Sequence, residues 1–303
     1  MNAPAHTFAA PAMTPALSQE TFDRFRGLIY RKTGINMRDG KQILVSNRLR
    51  KRLVHLGLAS YEEYYALLTS AERAPAEMPH FVDAVSTNET YFFRESGHFT
   101  ALESLVLPEL FRAGRTVRIW SAGCSTGEEA YTLRIVADRA ARACGAGHAE
   151  IFGTDISTTV IARARAGVYR DRSLKLVPPE VLRQYFCPAV DGGYQVRDEV
   201  RARVEFKVHN LFTDPPPGER MDVIFCRNVM IYFDKATQEK LVDGIFARAI
   251  GPEGYLFIGH AESITGFSAV FQYAALLRAP IYRRRGQERR ANNHEGVKAY
   301  GRR

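Results

Sequence analysis

The sequence predicts an α/β protein: a mostly parallel, doubly wound sheet, preceded by a small all-α N-terminal domain and carrying an inserted antiparallel β-subdomain. Three observations lead there. Residues 18–76 hold apolar side chains at helical spacing and no strand signal. From about residue 99 short apolar runs alternate with longer amphipathic ones, as strands alternate with helices that cover both faces of a parallel sheet. Between about 169 and 203 the alternation breaks into turn residues and short two-residue periods.

Residues 1–17 are rich in Ala and Pro and lack a period, so they are expected to be disordered. Phe22, Phe25 and Ile29 share one face of a first helix. A second helix is predicted over 41–56, before Gly57. Val45, Leu49, Leu53 and Leu56 form its apolar stripe, and Arg48, Lys51, Arg52 and His55 form a neighbouring basic one. A third is predicted over 61–71. The stretch around Pro75 and Pro79 begins a linker, placed at 77–98. Strands follow at 117–122, 150–154, 204–208, 222–226 and 255–259, with a final pair near 271–277 and 281–282. Helices are expected over 128–143 and 160–167. The insertion contains Pro178-Pro179, then Asp191-Gly192-Gly193, then alternating Tyr194, Val196 and Val200, which predicts a small hairpin. The main domain is bounded at 99–285, and a basic tail occupies 286–303.

The chain has 303 residues and a net charge of +9, but residues 283–303 contribute eight Lys/Arg against Glu288 and Glu295. The high pI of about 9.5 therefore says little about the folded part. No apolar run approaches the roughly 20 residues of a membrane helix, and the N-terminus lacks a secretory signal pattern. A cytoplasmic protein without membrane insertion is expected. Cys124, Cys144, Cys187 and Cys226 are widely spread, with no C-x-x-C pair and no histidine at zinc spacing, so structural thiols and no metal are expected.

The run from Val117 to Glu129 reads as a buried strand, a turn of small residues and the start of a helix. Small residues let a backbone approach a ligand at the carboxyl edge of a strand. It is not the dinucleotide fingerprint, because Ser121 and Thr126 stand where glycines would. Glu128 and Glu129 at the helix start would repel a pyrophosphate and suit a cationic ligand. S-adenosylmethionine, with its sulfonium and amino group, fits that requirement; an ordinary strand–turn–helix junction is the rival explanation. Asp155, after the second strand, can accept hydrogen bonds from two ribose hydroxyls, or it can cap the following helix. Asn210 and Asn228 end two further strands, where an amide can read an adenine edge or a ligand carboxylate, or simply turn the chain. Asp214-Pro215-Pro216-Pro217 lacks the aromatic fourth residue of the D-P-P-Y motif of amino-methylating enzymes and precedes its strand, so it is a loop.

Ser86-Thr87-Asn88-Glu89-Thr90-Tyr91-Phe92-Phe93-Arg94-Glu95 resembles the T-x-N-x-T-x-F-F-R-E signature of the CheR family of chemotaxis receptor methyltransferases. Trp120 to Glu129, Asp155, Phe225-Cys226-Arg227-Asn228-Val229-Met230-Ile231-Tyr232-Phe233-Asp234 and Gly259-His260-Ala261-Glu262-Ser263 follow in the family's order, over about residues 18–285. The resemblance implies a class I methyltransferase domain using S-adenosylmethionine and releasing S-adenosylhomocysteine. It implies that Asn88, Thr90, Arg94, Glu129, Asp155, Asn210, Leu211, Asn228 and Val229 line the cofactor site, with Arg94 and Tyr232 nearest the reaction. The implied substrate is a glutamate on the cytoplasmic helices of a methyl-accepting chemoreceptor, and neither nucleic acid nor a second subunit is expected as partner.

A glutamate carboxylate is already ionised near pH 7 and needs no general base. The absence of a Ser/His or Cys/His constellation accords with that, and Arg94 is the cation that would position the acceptor. The stripe Arg48, Lys51, Arg52, His55 would dock on an acidic helix bundle, the alternative being a solvated face. In some family members the β-subdomain grips a receptor C-terminal pentapeptide; the tip here, 187–193, reads as shorter and leaves that grip open. A nucleic-acid or small-molecule methyltransferase and a non-catalytic S-adenosylmethionine-binding adaptor are the rival functions.

Overall fold

Four helices open the computed structural model, which describes residues 16–286 except positions 191, 219, 275 and 278. Of residues 1–17, expected to be disordered, 1–15 lie outside the described residues, as does the basic tail beyond 286, whereas Leu17 is buried in the helical core. Helix α1 (Gln19–Thr33) starts on Ser18, whose hydroxyl accepts from Thr21 N at 3.1 Å, and stops at Gly34, which takes the left-handed conformation at φ 75°. α2 (Gln42–Leu56) stops the same way at Gly57, and α3 (Tyr61–Thr69) starts on Ser60. Phe22, Phe25, Ile29, Val45, Leu49 and Leu53 are buried together with Tyr61, Tyr64 and Phe81. These apolar positions are the ones the helical period picks out.

Residues 74–85, expected to open a linker, instead form helix α4 (Ala74–Val85), which packs on α1, α2 and α3. The correction has a simple cause. Pro75 lies in the first turn, where its missing N–H has no intrahelical partner to lose, and Pro79 lies just beyond it and forfeits only one hydrogen bond. Phe81, Val82 and Val85 repay that loss by burial.

Short helices α5 (Ser96–Ala101) and α6 (Leu107–Phe111) lead into the sheet. Its strands are β1 (Val117–Ala122), β2 (Ala149–Asp155), β6 (Val204–Val208), β7 (Met221–Cys226), β8 (Ile250–Ile258), β9 (Phe271–Ala274) and β10 (Ile281–Arg284), in the order β6-β2-β1-β7-β8-β10-β9. The first four neighbouring pairs are parallel and the last two antiparallel. Side chains alternate as a strand demands. Val117, Ile119, Val223, Phe225, Tyr255 and Phe257 enter one core, under α7 (Glu128–Cys144); Trp120, Ala122, Ile224, Cys226, Leu256 and Ile258 enter the other. Strand order reverses at β1, with β2 on one side and β7 on the other, which opens a crevice at the carboxyl ends of these strands.

After α8 (Thr158–Ala166), strands β3 (Val168–Tyr169), β4 (Phe186–Pro188) and β5 (Tyr194–Val196) form a separate antiparallel sheet in the order β3-β5-β4. A helix over Pro179–Tyr185, not expected from the sequence, precedes β4. Val200, expected in the hairpin, falls in a short helix, Asp198–Arg201.

Candidate active site

The turn after β1 takes left-handed backbone conformations and packs tightly against its neighbours. Gly123 has φ 83°, and a Cβ on it would sit 2.5 Å from Val229 Cγ2; Gly127, at φ 95°, would place one 2.9 Å from Ala164 Cβ. No larger residue fits either position. Between them Ser125 N donates to Asp155 Oδ2 at 2.9 Å, and Ser157 N donates to Oδ1 at 3.0 Å. The cap of α8 is Ser157, whose hydroxyl accepts from Val160 N, so Asp155 is not the helix cap. The Ile156 N–H also faces this carboxylate, which with roughly four acceptor sites keeps capacity for a further donor. Burial pushes the Asp155 carboxyl up from its ordinary value, and the backbone N–H groups pull against that.

At the start of α7 Glu129 accepts from Ser121 Oγ at 2.7 Å and pairs with Arg227 at 3.1 Å. Arg227 is 1% exposed and also pairs with Glu95 at 3.1 Å, so one buried guanidinium joins two acids from distant segments. Burial alone would raise the Glu95 carboxyl, yet Arg227, His260 and Asn228 hold it at about 2. The Glu129 carboxyl stays raised by burial, with Arg227 opposing. Glu95, His98 and His260 bring ligand atoms within 4.8 Å of one another, a cluster that sequence spacing does not show. Arg227 already supplies the positive charge there. His98 is kept neutral, pushed down to about 3 by burial first and by Arg227 second.

Arg94 does not form the structural pair with Glu95 that its neighbourhood invites. Phe93 and Glu95 both adopt positive φ, 57° and 55°, in the left-handed region that bulky residues avoid. Glu95 turns to Arg227 and His260, while Arg94 donates to Glu89 O at 2.9 Å and lies 5.8 Å from the Tyr91 ring. Among the described residues no carboxylate lies within ion-pair distance of Arg94. Ser125 Oγ ties the Asn88 carbonyl to the turn after β1 at 3.0 Å, which fastens this segment over the crevice.

Asn210 and Asn228 are both turn residues as well as cleft residues. Asn210 Oδ1 accepts from Phe212 N at 3.0 Å and its Nδ2 donates to Lys32 O at 2.8 Å, linking the sheet to α1. Asn228 sits at φ 60°. Asn36 N donates to Tyr232 O at 2.8 Å, so the segment after α1 also braces Tyr232.

All ten residues nominated for the cofactor site and the reaction wall one cleft: Asn88, Thr90, Arg94, Glu129, Asp155, Asn210, Leu211, Asn228, Val229 and Tyr232. A second groove adjoins it at Ile35, Thr87 and Tyr232 and runs between Arg38, Lys41, Leu44, Arg48 and Ile231. The α2 stripe is not presented as one basic face. Arg52 makes a two-pronged pair with buried Glu77 at 2.7 and 2.8 Å, Glu77 also accepting from Tyr64 at 2.8 Å, and Arg48 donates to the Val85 carbonyl and to Thr87. Helix α4, absent from the sequence expectation, provides Glu77 and Val85. Lys51, His55 and, beside them, Arg50 are exposed.

Residues 88–278 match the family described as CheR methyltransferase, SAM binding domain, and residues 20–86 its all-alpha domain. Fold, cleft and match together define an S-adenosylmethionine-dependent methyltransferase. Curated relatives align over most of their length. The chemotaxis protein methyltransferase of Salmonella typhimurium is 40% identical over 262 residues, 84% of this chain and 88% of that protein. That of Escherichia coli is 39% identical over 258 residues (82% and 86%), and chemotaxis protein methyltransferase 2 of Pseudomonas aeruginosa is 40% identical over 250 (81% and 87%). The chain belongs to the CheR family of chemotaxis methyltransferases. No helix among the described residues is long and apolar enough to cross a membrane.

Sequence reasoning passed over Arg227, Glu262, His98 and His260. Arg227, His260 and Glu262 stand inside the quoted motifs, but only the fold reveals which acids or backbone groups each one meets.

Proposed function

We propose that the enzyme esterifies glutamate side chains on the cytoplasmic helices of methyl-accepting chemoreceptors. The observation that carries the reading is Arg94: a cation on the wall of the cofactor cleft with no acid to neutralise it among the described residues. A carboxylate is the natural complement of such a group. Bound S-adenosylmethionine supplies an electrophilic methyl on a sulfonium, which an ionised carboxylate attacks without a general base.

The chain's own residues then have three tasks. Asp155 accepts from ribose hydroxyls with its remaining acceptor capacity, beside the turn after β1 that lines the cleft at Gly123, Cys124 and Ser125. Glu129 and the other acids around the turn favour a cationic cofactor over a phosphate-bearing one. Arg94 and Tyr232 orient the acceptor for in-line attack, where alignment can contribute several kcal/mol. A grip that is too tight would weaken the nucleophile, and the single-cation setting of Arg94 suits orientation over neutralisation.

The receptor reaches the cleft along the second groove, whose Arg38, Lys41 and Arg48 suit an acidic helix and whose Leu44 and Ile231 suit its apolar residues. Exposed Lys51, His55 and Arg50 extend that surface, and Arg48 and Arg52 of the stripe act from within the fold. We further propose that the enzyme works as a monomer in the cytoplasm. The test is mass analysis of a receptor fragment after incubation with enzyme and S-adenosylmethionine. One methyl per modified glutamate is expected, lost when those glutamates are changed to glutamine; methylation elsewhere on the fragment would refute it.

A further inference from the structure

The loop after β7, residues 227–232, carries Asn228, Val229 and Tyr232 into the cleft, yet it pairs with no strand of the sheet. Asn36 braces the Tyr232 carbonyl and Gln238 the Met230 carbonyl, but two of the loop's backbone N–H groups are gathered by one side chain from the turn after β8. Glu262 is 9% exposed. Its Oε2 accepts from Gly259 N at 2.6 Å and from Asn228 N at 2.9 Å, and its Oε1 accepts from Ile231 N at 3.2 Å. Gly259 permits the approach: a Cβ there would fall 2.8 Å from Glu262 Oε2 and 2.9 Å from Asn228 N. No cation lies within ion-pair distance of Glu262 among the described residues, so converging backbone N–H groups alone meet its charge. Burial pushes the carboxyl up and those N–H groups draw it back. A buried charge without a cation is an expensive way to close a turn. It is a good way to fix several backbone groups at once, because each charge-assisted bond is short and directional.

We propose that Glu262 is a positioning residue of the methyl transfer: by gathering the N–H groups of Gly259, Asn228 and Ile231 it holds Asn228 in its left-handed turn and sets Tyr232 beside it. The proposal rests on the cleft being the site of transfer. One carboxylate that touches neither cofactor nor acceptor thereby couples the cofactor wall at Asn228 and Val229 to the acceptor wall at Tyr232. Its loss releases both walls together and, of the groove that docks the receptor, frees only the Ile231–Tyr232 rim, leaving Arg38, Lys41, Leu44 and Arg48 in place.

The test compares wild type, Glu262→Ala and Glu262→Gln for cofactor affinity by calorimetry, for steady-state methylation of receptor membranes, and for amide exchange. In Glu262→Ala, kcat falls about hundredfold and cofactor affinity about tenfold. KM for receptor stays within about twofold, and exchange quickens in 227–232 while β1 and β7 stay protected. Glu262→Gln keeps an oxygen for the two closer donors and falls between. A folded Glu262→Ala with kcat within about threefold of wild type would overturn the proposal, as would exchange rising evenly across the sheet. If Glu262→Ala does not fold, Glu262→Gln decides, and wild-type kcat with an unloosened loop overturns it. Wild type that fails to bind S-adenosylmethionine refutes the reading of the cleft itself, while loop exchange still reports whether Glu262 is the pin.

Discussion

Helix α2 and the carboxyl edge of the sheet both place arginines near acids, and they use them in opposite ways. In α2, Arg52 turns inward to a buried glutamate and completes a small domain. At the sheet edge Arg227 does similar work for Glu95 and Glu129, and because it absorbs them Arg94 is left with its charge uncommitted in the cleft. A charged side chain thus becomes available for chemistry when its neighbours are neutralised by someone else. Residue type alone does not reveal this; the partner does.

The largest effect should fall on the pair that only builds. Glu77→Ala strands Arg52 beside an apolar core, and breaking a buried pair typically costs about 3–5 kcal/mol. Urea unfolding would show it as a lowered midpoint, and an unchanged midpoint would move Arg52 back to the surface in this account. Arg94→Ala should leave unfolding untouched and lower kcat about a hundredfold or more, near 3 kcal/mol, with cofactor affinity within about threefold. Near-normal turnover would erase the contrast between the two arginines. Asp155→Ala should weaken S-adenosylmethionine binding by about 1.5–3 kcal/mol, read by calorimetry.

Acid should separate the regions further. The Glu95 carboxyl is held at about 2, below its ordinary range, so its contribution to stability is fully present above about pH 4.5 and is lost as pH falls towards 2. Glu95→Gln should therefore flatten the fall of the urea midpoint through that interval; an unaltered curve would mean that Arg227 does not depend on Glu95. The smallest effect belongs to the exposed side of α2. Arg50→Glu with Lys51→Glu should raise KM for receptor several-fold, each charge contributing about 0.2–1 kcal/mol, with the difference shrinking as salt is added. A reversal of Arg52 would instead report on folding, which makes it the wrong probe of docking.

Much of the sheet edge was legible because strands project their last residues to a common crevice. Once β1, β2, β6 and β7 were placed in order, Asp155, Asn210 and Asn228 had to meet there. The glycines of the turn after β1 were legible as a tight turn, but the left-handed backbone and the packing on Val229 and Ala164 that require them were not. The helical domain gave up its apolar faces but not its polar partners. A helical period groups Arg48, Lys51, Arg52 and His55 on one stripe, and it cannot say that another helix covers half of that stripe. That helix was hidden by Pro75 and Pro79, which read as breaks and act as a permitted start. Arg227, His98 and Glu262 were illegible as site residues because their meaning lies in contacts with Glu95, His260 and Asn228, far away in sequence.

The most direct test of the central claim is transfer of a labelled methyl from S-adenosylmethionine to chemoreceptor membranes, followed by mild base. The account predicts label in the receptor that base releases as volatile methanol, the behaviour of a glutamate methyl ester, and loss of that label with Arg94→Ala. Label that withstands base, or that enters RNA or a small acceptor while the receptor stays blank, would contradict it.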